Sequence, residues 1–153
     1  MSANFADLDA PPRRMPAPLA RVLASLPAWP PTAALAAILS VAAARRLIDV
    51  QALAPLTAKC VELHVIDAGV RLRLQFTGRA FVPDCRSGSA DVVIAASAQD
   101  FFFLAQRRVD PDSLFFRRRL IMEGDTELGL LVKNTLDAVD LTSVFPFFAK
   151  AKA

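Results

Sequence analysis

Few side chains in this sequence have the chemistry for catalysis. His64 is the sole histidine, and Cys60 and Cys85 are the two cysteines, so an imidazole base or a thiolate nucleophile must be built on these three. Cys60 and His64 suggest a thiolate-imidazole pair, but they fall on a stretch of period two. In a strand, residues four apart stand about 13 Å apart along the axis, a gap that no hydrogen bond closes. Cys60, Glu62 and His64 alternate with Val61, Leu63 and Val65 and are expected to face solvent. Cys85, within Pro83-Asp84-Cys85-Arg86-Ser87-Gly88, is a loop thiol beside a guanidinium and the best candidate for a nucleophile in an enzyme subunit; loop packing explains it more simply. Glu123 and Asp125 flank Gly124 at a helix start, where negative charge is favourable for capping and dipole reasons alone. The five glycines form no phosphate loop or nucleotide fingerprint, and the cysteines form no Cys-x-x-Cys pair. Catalytic residues, cofactors and metals therefore have no anchor here, and a non-enzymatic protein is expected.

The stronger signal is apolar. Apolar residues make up 54% of the chain against 22% charged, and the aromatic set is eleven Phe, one Trp and no Tyr, so the large side chains bring almost no hydroxyl to satisfy when buried. Phe101, Phe102 and Phe103 are consecutive, and on a helix they spread over about 200 degrees, wider than one packing stripe. With Leu104 next, and Phe115, Phe116, Leu120 and Met122 following, a Phe-rich cluster able to hold a lipid is expected beside a last helix. That helix contributes Leu128, Leu131, Val132 and Leu136. An ordinary core and an internal lipid cavity both account for this pattern. Near the C-terminus, Phe145, Phe147 and Phe148 precede Lys150 and Lys152, an apolar wedge with a basic flank that fits reversible membrane contact, with Arg13 and Arg14 as further cations; packing of that tail onto the body is the alternative.

The elements that must position these residues follow from periodicity. Residues 1–16 show none and read as a mobile tail. Leu19, Val22, Leu23 and Leu26 recur at three and four, giving a short amphipathic helix that ends in the Pro-rich linker, so that 17–31 form one unit. Thr32 is expected to cap a second, Ala-rich helix running to about residue 50. The period then becomes two: Val61 to Val65, a turn at Asp67-Ala68-Gly69, and Val70 to Phe76 make a hairpin. Further strands are expected at Arg79 to Pro83 and Ala90 to Ala95. Ser97 opens a capping box onto a helix through Phe101 to Arg107, Asp110-Pro111-Asp112 makes a turn, and a last strand runs from Arg118 to Glu123. Gly124 breaks it, and Asp125 or Thr126 caps a helix to about Asp140. The pattern is α+β, with helices over one face of a sheet.

At 153 residues the chain has the size of one domain. Its net charge of +3 comes from 18 bases and 15 acids interspersed along the sequence, which disfavours nucleic acid as a partner. The longest apolar run, Ala33 to Ala44, is shorter than the roughly 20 residues of a bilayer span, and Asp7 and Asp9 precede any apolar stretch, unlike a secretory signal. A cytoplasmic protein, peripheral at most to the inner face of the membrane, is expected.

The stretch Asp110-Pro111-Asp112-Ser113-Leu114-Phe115-Phe116-Arg117-Arg118-Arg119-Leu120, with Glu123-Gly124-Asp125-Thr126-Glu127-Leu128-Gly129 after it, resembles the sterol carrier protein type 2 domains of ubiquinone biosynthesis accessory factors. Weaker agreement reaches upstream through Ala90-Asp91-Val92, so that the resemblance covers about 35–141, within a domain placed at 32–141; the Phe-rich tail, 142–153, lies outside it. The resemblance implies a five-stranded, mostly antiparallel sheet covered on one face by helices, with an apolar tunnel between. It further implies a bound prenylated quinone intermediate or a phospholipid, ubiquinone-pathway hydroxylases as partners in an oxygen-independent route, and no catalytic residue. A general phospholipid or fatty-acyl carrier is the alternative.

Overall fold

The computed structural model describes residues 11, 14–27 and 29–138. The expectations for Arg13, Phe145, Phe147, Phe148, Lys150 and Lys152 lie outside these. Helix α1 (Ala17–Ser25) buries none of its residues. Helix α2 (Trp29–Ala44) follows. It starts earlier than the expected cap at Thr32, because Pro30 and Pro31 sit in the first turn, where a missing N–H leaves no bond unmade; Thr32 is instead buried inside the helix. The helix also stops short of residue 50. Arg46 turns left-handed (φ 57°), so that its N–H reaches the Ala43 carbonyl at 3.0 Å and the Leu47 N–H reaches Ala42 at 2.9 Å, closing the last turn as a Schellman motif.

A 3-10 turn (Ala54–Leu56) leads into strands β1 (Cys60–Val65), β2 (Val70–Phe76), β3 (Phe81–Pro83) and β4 (Val92–Ala96). Helices α3 (Ala98–Ala105) and α4 (Pro111–Phe116), strand β5 (Ile121–Gly124) and helix α5 (Thr126–Ala138) complete the described fold. The sheet order is β3-β2-β1-β4-β5. All neighbours are antiparallel except β1 and β4, which pair in parallel with Val61 opposite Val92 and Val65 opposite Ala96.

Period two decides which face is dry. Val61 and Leu74 are register partners on one face, joined by Phe76, Val92 and Ile94, all nearly inaccessible. Helix α2 packs over β2 and β3, and α5 over β4 and β5. At the α5 contact Gly129 lets the helix approach, its Cα side lying against Met122 Sδ and Val92 Cγ2. The other face is not the open, charged surface expected. Cys60 and Glu62 are buried there, because the long Arg71 and Arg73 side chains of β2 fold across β1: Arg71 Nη1 donates to Glu62 Oε1 at 2.5 Å, and Arg73 Nε and Nη2 donate to Cys60 Sγ at 3.4 and 3.3 Å.

Asp110-Pro111-Asp112 is not a turn but the start of α4. Asp110 Oδ1 accepts from the N–H groups of Asp112 (2.9 Å) and Ser113 (3.1 Å), and Pro111 takes the first helical position. Helix α5 starts as expected, Asp125 Oδ1 accepting from Glu127 N–H (2.9 Å) and Leu128 N–H (3.1 Å).

Candidate functional site

Of the residues expected to hold a lipid, nine come together. Leu104, Leu120, Leu128 and Val132 are buried in the core, while Phe101, Phe102, Met122, Leu131 and Leu136 are half-buried and packed against it. Ser97 sets this up: its hydroxyl accepts from Asp100 N–H at 3.1 Å, fixing the entry of α3 so that Phe103 and Leu104 face inward and Phe101 and Phe102 flank them. The result is a dry centre with a rim of large apolar groups from α3, β5 and α5. Leu63, an inward residue of the β1 alternation, also packs against this core, together with Leu39, Leu47, Val50 and Phe81, which were not among the candidates.

Phe115 and Phe116 do not join the cluster. Leu114 takes the inward position of α4, fully buried, and at about 100 degrees per residue the next two side chains must turn outward. Phe115 is 41% and Phe116 80% exposed, their rings meeting edge to face at 5.9 Å.

Behind α3 lies a buried ion pair. Asp100, 1% exposed, accepts from Arg119 Nη2 at Oδ1 (2.5 Å) and from Arg119 Nε at Oδ2 (3.3 Å), and Ser97 Oγ donates to the same Oδ2 at 2.9 Å. Arg119 and Asp100, with Arg14, Ile66, Asp67, Ser97 and Arg118, line a recess of about 220 Å³.

The two candidate nucleophiles differ in setting, Cys60 being buried and Cys85 exposed. Burial pushes the Cys60 thiol above its usual pKa, and its hydrogen bond to Asp84 raises it further against the opposing pull of Arg73. Asp84 is itself buried; the Arg86 guanidinium, 2.9 Å away, holds its carboxyl well below the usual carboxylate range. Cys85 is exposed, and neither cysteine is in a disulfide. Among the described residues no group of His, Cys, Asp and Glu is placed to hold a metal ion. The double substitution Cys85→Ser with His64→Gln is expected to leave melting temperature and cellular function within error of the parent. Loss of function in a variant that melts normally would revive a catalytic role.

No single described helix is long and apolar enough to cross a membrane; α1 and 30–44 reach that length only together, with an 85° bend between them.

The family model described as SCP-2 sterol transfer matches residues 41–137, from the last turn of α2 to the end of α5. The chain belongs to the SCP-2 sterol transfer family. It is similar to the ubiquinone biosynthesis accessory factor UbiT of Escherichia coli (strain K12), with 40% identity over 97 residues, 63% of this chain and 55% of UbiT. UbiT of Escherichia coli O157:H7 matches equally. The chain thus spans about half the length of the curated relatives it matches. Among solved structures, a UbiJ-SCP2 ubiquinone synthesis protein superposes with a TM-score of 0.48 at 23% identity, over 57% of this chain and 76% of that one. A crystal structure of sterol carrier protein 2 gives 0.44 at 22% identity, over 69% and 91%.

Proposed function

We propose that this chain is a lipid-binding accessory factor of ubiquinone biosynthesis. It holds a prenylated ring intermediate, or a phospholipid, by its apolar tail against α3, β5 and α5, while separate hydroxylases of the oxygen-independent route modify the ring. The observation that carries this reading is the rim of Phe101, Phe102, Met122, Leu131 and Leu136 around a dry core, in a member of a sterol transfer family. Likeness to UbiT supports the choice of pathway. Isoprenoid burial at about 25 cal/mol per Å² of apolar surface supplies a driving force that exceeds the cost of ordering the chain. In this reading the protein works at the cytoplasmic face of the membrane, where Phe145, Phe147 and Phe148 with Lys150 and Lys152 add a second lipid contact.

Organic extraction of the purified protein followed by mass spectrometry is expected to release a prenylated ring compound. Phospholipid alone would make it a general carrier instead, and an empty protein would overturn the reading. Phe102→Asp is expected to abolish co-purifying lipid, since a carboxylate among apolar groups is strongly disfavoured. A folded Phe102→Asp protein with its lipid intact would exclude this rim as the binding site.

A further inference from the structure

Phe116 is the most exposed of the large apolar side chains in the described fold, and the Phe115 ring beside it is half out in water. Leu114 already anchors α4 to the core, so this aromatic pair contributes little to folding. Its surroundings are basic. Arg107 and Arg108 lie in the turn after α3, and Arg117 and Arg118 follow α4 directly, all four exposed. Arg118 adopts a left-handed conformation (φ 58°), and its N–H and that of Arg119 close α4 on Phe115 O and Leu114 O at 3.0 and 2.9 Å. That closure holds Arg118 at the wall of the 220 Å³ recess, next to Arg14 and the exposed Ile66.

The carboxylates nearby each have a partner, although Asp67, whose partner is a backbone N–H, keeps its charge at the recess wall. Asp67 Oδ1 accepts from Ala98 N–H at 2.8 Å, Asp100 is matched to Arg119, Asp110 caps α4, and Asp112 is paired with Lys133. Among the described residues neither Arg14 nor Arg118 meets a carboxylate, so the recess keeps two guanidinium groups for an outside anion. An exposed aromatic pair on α4, followed two residues after Phe116 by Arg118 at the wall of a recess large enough for a phosphate group, matches the layering of an anionic bilayer, with acyl chains beneath phosphates.

We propose that α4 and the turn after it form a docking surface for an anionic membrane, with Phe115 and Phe116 entering the interface and Arg118 and Arg14 receiving a lipid phosphate. The surface is separate from the rim around α5 and does not depend on what that rim carries. It also differs from the C-terminal contact, so it is tested in the full chain with the tail present.

The test is flotation of the full chain with vesicles of phosphatidylcholine alone and of phosphatidylcholine mixed with phosphatidylglycerol. Binding is expected on the mixed vesicles, weakening with salt. Phe115→Ser with Phe116→Ser is expected to lower it by roughly tenfold or more, and Phe116→Ser alone, at a site 80% exposed, guards against misfolding of the pair. Arg118→Gly, which suits the left-handed backbone, and Arg14→Ala are each expected to lower binding roughly fivefold on mixed vesicles only. The proposal is overturned if the Phe116→Ser chain, melting normally, floats as well as the parent. It is equally overturned if the Arg variants lose nothing, or if the full chain ignores anionic vesicles, in which case the patch serves a protein partner.

Discussion

Arg119→Met is expected to destabilise the fold by about 3 to 5 kcal/mol, because it leaves a carboxylate buried without its counter-charge. Asp100 is 1% exposed, and the Arg119 side chain is 11% exposed. Two guanidinium nitrogens face the carboxylate, and Ser97 occupies part of its remaining capacity. Methionine restores much of the arginine stem's volume, so the loss reports charge and hydrogen bonding more than a cavity. Asp100→Asn in the same chain is expected to recover part of it by removing the unpaired charge. Urea unfolding of both single variants and the double variant gives the coupling directly. A loss below about 1 kcal/mol for Arg119→Met would mean that water reaches the pair and that its worth is that of a surface bridge.

Gly124→Ala is expected to cost about 3 kcal/mol or more, from two separable causes. Its φ of +96° disfavours any L side chain. In addition, an added Cβ would stand 2.4 Å from the Asp91 carbonyl oxygen, a distance that backbone must move to relieve. That carbonyl accepts the Asp125 N–H at 2.9 Å, and Asp91 also holds the start of β1, giving its N–H to Cys60 O at 2.9 Å and accepting from Cys60 N–H through Oδ2 at 2.7 Å. Displacing it disturbs three chain segments. Gly78→Ala is the control: φ is +92° there, but no atom lies within 4 Å of the new Cβ, so it is expected to lose only about 1 kcal/mol. Equal melting temperatures for the two variants would remove the steric half of the argument.

What could be read from the sequence divides along physical lines. The β1-β2 hairpin is legible because alternation and a Gly69 turn (φ +65°) agree, and the Ser97 and Asp125 caps are legible because capping is a local bond. Helix ends were less so. Arg46, Arg107 and Arg118 each take the left-handed closing position where glycine is the usual marker, so no residue type announced the stop. Asp110-Pro111 reads as a turn or as a cap followed by the first helical residue, and only tertiary packing of Leu114 decides for the helix. Six residues carry too little periodicity to show that Leu114 points in while Phe115 and Phe116 point out. The burial of Cys60 and Glu62 depends on which rotamers Arg71 and Arg73 adopt across the strand, and the Asp100-Arg119 pair joins elements 19 residues apart; neither leaves a periodic trace. Nine of the eleven apolar candidates pack together because they are core-facing by pattern, and the two that point outward lie on the one helix that pattern missed.

The single parallel pairing in the sheet has a consequence for how the chain is made. Strands β1, β2 and β3 neighbour one another in order and can assemble from local contacts as soon as they leave the ribosome. β4 has to come back beside β1 after the whole meander has been laid down, and β5 and α5 have nowhere to pack until it does. During that interval the nascent chain presents the bare edge of β1, which becomes the middle of the finished sheet. Such an edge recruits other chains when crowded, and closing it across so long a loop is the slow, non-local step of folding.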